Sequence, residues 1–147
     1  MKNPVVQMDR TGCGIAACAA LSDRSYREMK AIADTLGISV TDDLLWSEPA
    51  YIRKLLERVG LKAAPGELPF HSWESLPDLA LLSVKWHQVK GRPFWHWVVF
   101  VREKGQAFVL DSKKSLRTHR RTDFGRMKPR WYIRVTTLNM EHETKLS

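Results

Sequence analysis

The chain is short of the residues on which several large classes of protein depend. It has only two cysteines in 147 residues, Cys13 and Cys18, on what reads as one helix. Five positions apart, they supply no disulfide framework, so a reducing compartment, the cytoplasm by default, is expected. Export through a specialised secretion system would leave the same composition, so that route stays open. The thiols do not form a Cys-x-x-Cys pair, and His71, His87 and His96 do not gather into a tight ligand set. No metal site and no cofactor are expected. No apolar run approaches the length of a bilayer span, and the start of the chain, residues 1–7, carries a charge but no hydrophobic signal segment. The eight glycines nowhere form a phosphate-cradling loop. Internal repeats and low-complexity segments are absent.

Acidic residues are scarce in one half. Residues 85–134 hold three acidic against fourteen basic side chains, whereas residues 1–84 hold eleven acidic against nine basic. The net charge of +8 therefore belongs to the C-terminal half. Such a field attracts an acidic protein or peptide, or nucleic acid, and equally describes a solvated face without a partner. Trp86, Trp95, Trp97, Trp131 and Tyr132 lie among these cations, which is raw material for stacking on single strands. Most of them alternate within strands, which assigns them to a core, so nucleic acid is not the expected partner. The role of segment Lys113–Arg130 stays open.

What is present is enough apolar material, 44% of residues, for one domain spanning residues 1–147. The small apolar residues after Gly12 read as a buried helix. Ser25 and Glu28 form a capping box, followed by Met29, Ile32, Ala33 and Leu36 at helical spacing, with Gly37 as a stop. Asp42–Trp46 reads as a short turn or helix. Pro49 opens a third helix whose buried face is Ile52, Leu55, Leu56 and Val59. Leu61–Ala64 is a short strand, and the stretch through Ser72 a connecting loop. The pattern then changes to strands over Leu79–Trp86, Trp95–Val101, Gln106–Asp111 and Trp131–Val135. Lys90–Pro93 reads as a turn or exposed loop, Glu103–Gly105 as a hairpin turn, and Lys113–Lys128 as a basic loop. The last dozen residues read as frayed. Helices first and an antiparallel sheet second imply an α+β fold, with the helices packed on one side of the sheet.

The chain is organised around residues 7–21. Cys13 stands at a helix start, where free backbone N–H groups and the positive end of the helix dipole favour a thiolate. Gln7, six residues upstream, can bring an amide to the same point. A cysteine nucleophile needs a base, and the base an orienting group. His96 opens the strongest strand, with its side chain opposite in direction to Trp95 and Trp97. The paired strand ends at Asp111, which the hairpin brings beside His96. Each residue also has a plain structural reading. Cys18 is best read as a small buried hydrophobe. His96 alone would be a core histidine, Asp111 a strand-end cap or a partner of Lys113, and Gln7 a polar residue near a terminus. The arrangement of all four carries the case for Cys13 as nucleophile.

The pattern Gln-x5-Cys-Gly-x-Ala, then His-Trp-Val-Val-Phe, then a strand ending in Asp resembles the papain-like cysteine peptidases. It most resembles the N-terminal peptidase domain of bacteriocin exporters, which cleaves leader peptides after a Gly-Gly pair. The likeness runs from Gln7 to about Leu116. It implies a papain-like α+β fold and a peptide or protein substrate with a glycine-rich cleavage site. It further implies that Gln7 and the Cys13 backbone N–H bind the oxyanion, Cys13 attacks, His96 relays the proton and Asp111 orients the imidazole. Ser112 departs from the proline that often follows the Asp in that family. The exporter's membrane and ATPase domains are missing, so a stand-alone domain is expected, and the basic run 113–121 lies outside the resemblance. An acyl or amide transferase built on the same Cys13 thioester is the rival enzyme reading. A non-catalytic peptide-binding or nucleic-acid-binding module is the rival outside catalysis.

Overall fold

The computed structural model describes residues 2–137. Three helices come first: α1 (Cys13–Leu21), α2 (Tyr26–Thr35) and α3 (Pro49–Arg58). Every residue of α1 is buried, which is why its sequence is apolar all round rather than striped. It lies between β4 (Arg92–Glu103) on one side and α2 and α3 on the other. The expected capping box of α2 is formed: Ser25 Oγ accepts from the Glu28 N–H at 3.1 Å, and Glu28 Oε1 accepts from the Ser25 N–H at 3.1 Å. Pro49 occupies the first turn of α3, and Ile52, Leu55 and Leu56 are buried. Asp43–Ser47 is a 3-10 turn.

The remaining strands are β1 (Leu61–Ala63), β2 (Leu68–Pro69), β3 (Leu79–Val89), β5 (Gln106–Leu110), β6 (Arg120–Arg121) and β7 (Trp131–Thr137). They form an antiparallel sheet in the order β1-β7-β3-β4-β5-β6, with β2 also paired to β7. The fold is thus α+β, with N-terminal helices packed on a C-terminal antiparallel sheet, as the sequence implies. Trp97, Val99, Val101, Ile133 and Val135 join the helices in one core. The opposite face is also covered. Leu82, Val84, Val98, Phe100 and Val109 pack there with Leu76 and Met127, and Phe70, Trp73 and Phe124 close over them.

Several details differ from the sequence reading. Leu68–Pro69 forms a two-residue strand rather than loop, because β7 offers an unpaired edge there. Of Lys90–Pro93 only Lys90 and Gly91 make the turn. Both have positive φ, 52° and 79°, the combination whose twist matches a two-residue hairpin, so the flanking strands continue to Val89 and from Arg92. The stretch 113–128 is not all loop, since β6 pairs with β5 and Phe124–Arg126 makes a 3-10 turn. Strand β5 closes at Leu110, one residue before Asp111. Of the residues expected to fray, Thr136 and Thr137 belong to β7, paired with β1, and the others lie outside the described residues.

One irregularity bears on the site. The β3–β4 register shifts between Val84 and His87, and Lys85 in that bulge has φ 53°. A side-chain-bearing residue enters this left-handed region only against steric resistance, so the bulge sets the direction in which Lys85 leaves the strand.

Candidate active site

The first turn of α1 is held from three sides. Gly12 precedes it as N-cap, with ordinary negative φ. Its glycine identity comes from crowding: a Cβ there would run into the Tyr26 hydroxyl. A Cβ on Gly14 would run into Ile52 of α3. The glycines flanking Cys13 therefore let two helices close on it. Cys13 itself is fully buried, with a free thiol. No hydrogen-bond partner occurs for its backbone N–H among the described residues, as befits a residue in the first turn of a helix.

The turn leading into α1 is equally fixed. The Gln7 N–H donates to Ser112 O at 3.0 Å, and Ser112 Oγ donates to Gln7 Oε1 at 2.9 Å. The Gln7 amide Nε2 donates to Asp9 O at 2.9 Å and, more weakly, to Arg10 O at 3.3 Å. Asp9 Oδ2 accepts from the Tyr26 hydroxyl at 2.6 Å and faces Lys30 Nζ at 3.1 Å. Thr11 Oγ1 donates to Val40 O at 2.7 Å.

The sheet supplies the other side. Leu110 pairs with Val99, so Asp111 comes level with Val98, and His96 lies two residues further along β4 on the same face. His96 Nε2 and Asp111 Oδ1 are 2.7 Å apart in a nearly dry environment, with His96 9% and Asp111 1% exposed. Burial pushes the His96 pKa down. The hydrogen bond to Asp111 and the adjoining Cys13 thiol group more than reverse this, raising it to about 9. Burial opposes ionisation of Asp111 as well, yet His96, the Lys113 N–H and Arg121 together hold its carboxyl well below the usual carboxylate range.

Thus His96 adjoins both Cys13 and Asp111, while Gln7 is joined to the residue after Asp111. Cys18 sits apart, fully buried, with desolvation raising its thiol pKa. Two residues escaped the sequence reading. Arg121 Nη1 donates to Asp111 Oδ2 at 2.9 Å while its other nitrogens grip Asp123 at 2.9 and 2.7 Å. Ser112 holds the Gln7 amide. No spacing rule points to Arg121, because its place depends on the β5–β6 pairing. Ser112 carried a signal, as the residue beside a candidate site acid.

A cavity of about 460 Å³ opens beside these groups. Gln7, His96, Trp95 and Trp46 line it, with Lys85, Lys113 and Lys114 among the cations at its rim. Among the described residues no group of three or more His, Cys, Asp or Glu side chains could hold a metal ion. No helix among them is long and apolar enough to cross a membrane.

No family model matches the chain, and neither does any curated protein. Among solved structures, it is similar to a double glycine motif protease from an AMS/PCAT transporter, determined in complex with the leader peptide. The match covers 92% of this chain and 91% of that one, with a TM-score of 0.59 and 17% sequence identity. At that identity the likeness speaks for the fold. It agrees with the papain-like architecture expected from the sequence.

Proposed function

We propose that the chain is a cysteine peptidase, residues 1–147 serving as one peptidase domain, and that Cys13 is its nucleophile. The observation that carries this reading is the buried His96–Asp111 pair at 2.7 Å, set against a cysteine in the first turn of a helix. A histidine oriented by a carboxylate beside a thiol is the arrangement that makes a sulfur nucleophile and returns a proton to the leaving group.

In this reading Cys13 Sγ, as thiolate, attacks the scissile carbonyl carbon. The negative charge moves to the carbonyl oxygen, which the Cys13 N–H receives. Gln7 Nε2 joins it by giving up its weaker bond to Arg10 O for the substrate oxygen. The His96 imidazolium protonates the leaving amine as the C–N bond breaks, leaving a thioester on Cys13. His96 then takes a proton from water, hydroxide adds to the thioester carbon, and the thiolate leaves. Asp111 orients the imidazole throughout and favours its charged form, as the raised His96 pKa expresses. The similar protease bears a double-glycine name and was solved with a leader peptide, which supports a glycine-rich peptide substrate. Two free thiols fit a reducing compartment such as the cytoplasm.

The test is alkylation by iodoacetamide, read residue by residue by mass spectrometry. Cys13 is expected to label much faster than Cys18, and His96→Ala to slow it. Slow labelling of both thiols at one rate would remove the nucleophile assignment.

A further inference from the structure

The cavity beside His96 has a charge pattern that the proposed chemistry does not use. Lys85, Lys113 and Lys114 all border it and all are exposed. None has an ion-pair partner among the described residues, whereas the other cation at the rim, Arg10, is bound to Asp43 at 2.9 Å and covers Trp46. The single carboxylate at the rim, Asp9, is occupied by Tyr26 and Lys30. Asp111, buried and not part of the lining, is occupied by His96 and Arg121.

The placement of Lys85 is not incidental. It projects from the β3 bulge with φ 53°, a conformation that favours glycine. Its pKa is lowered by partial desolvation and by Lys113, whose ammonium it faces, with Arg121 adding to this and the Asp111 carboxylate opposing it. A strained backbone and two like charges side by side are both unfavourable in the free protein. An anion between the two ammonium groups relieves the second.

We propose that this rim is a subsite for acidic side chains of the peptide substrate, with Lys85 and Lys113 gripping a carboxylate on the stretch that precedes the glycines and Lys114 extending the field. The inference rests on the peptidase reading and adds substrate selection to it. Nucleic acid fits the site less well, because its aromatic faces are already partly taken. Trp95 is buried against Trp97 and Trp131, and Trp46 lies between Arg10, Phe94 and His87. Each of these rings already has an aromatic or cationic neighbour, which leaves less face for a base to stack on than a platform for single strands provides.

The experiment measures protection of Cys13 from iodoacetamide by two peptides, acetylated and amidated Glu-Glu-Gly-Gly and Gln-Gln-Gly-Gly. The acidic peptide is expected to protect at about tenfold lower concentration in low salt, with the advantage shrinking as salt rises. Lys85→Gln/Lys113→Gln/Lys114→Gln should erase the advantage. Lys113→Gln/Lys114→Gln, which leaves the bulge untouched, should reduce it. Equal protection by both peptides, with Cys13 labelling still dependent on His96, overturns the subsite and leaves the peptidase standing. Protection by oligothymidylate but not by the acidic peptide overturns it in favour of nucleic acid. Failure of Cys13 to label at all overturns both readings.

Discussion

Cys13 and Cys18 lie on one helix, both wholly buried and both free thiols. The first stands in the opening turn, where the backbone N–H groups have no helical partner and His96 adjoins the sulfur. The second lies a turn and a half further on, its backbone carbonyl taken by Ser22 Oγ at 2.8 Å and its sulfur desolvated. Residue type, helix and burial are the same. The difference is the neighbour and the place on the helix: Cys13 has His96 beside its sulfur at the free end of α1, and Cys18 has neither.

Substitution is the most direct way to break that contrast. Cys13→Ala should lower peptide cleavage by at least about a thousandfold while leaving the fold intact, measured as kcat/KM on a glycine-rich peptide. Asp111→Asn tests the charge behind the base. It should cost about a hundredfold or more in kcat, because the amide no longer favours an imidazolium and faces Arg121 with the wrong polarity. If Asp111→Asn were as active as the parent, the orienting role would fall.

Gly14→Ala addresses the packing that sets the helix start. Its methyl group meets Ile52, so unfolding in urea should show a loss of about 1–3 kcal/mol. Cys18→Ala should cost only about 1 kcal/mol and leave kcat/KM within a factor of about two. A large loss of activity in Cys18→Ala would erase the distinction between the two thiols.

The contrast can be sharpened by pH. The His96 pKa rises in the fold from 6.5 to about 9. The stabilisation from its charged form is therefore complete below about 6.5 and lost as pH climbs through about 9. The unfolding free energy of the parent should decline across that window, and that of His96→Gln should decline less. Asp111 acts in the opposite sense. Its carboxyl is held low in the fold, so its contribution is present at neutral pH and is lost on acidification.

Much of the architecture was legible because it is local. The capping box at Ser25, the proline opening α3 and the aromatic and β-branched run from Trp95 mark elements through their own backbone chemistry. The closeness of His96 and Asp111 was legible too, since a short hairpin turn at Lys104–Gly105 leaves little freedom of register. The glycines beside Cys13 were visible, but their reason was not: Tyr26 and Ile52 close over them from other helices. The strand at Arg120–Arg121 stayed hidden because two arginines have no strand pattern of their own and follow the edge of β5.

By itself, the sequence determined the order of elements, the helix starts and which residue types were available for sulfur chemistry, all properties of short stretches. Tertiary structure decided what surrounds those residues. Ser112 meets Gln7 across 105 positions, Arg121 reaches Asp111 through strand pairing, and a bulge turns Lys85 toward Lys113. Charge and hydrogen bonding act over a few ångströms whatever the separation along the chain, so these partners exist only once the sheet and the helices have closed on each other.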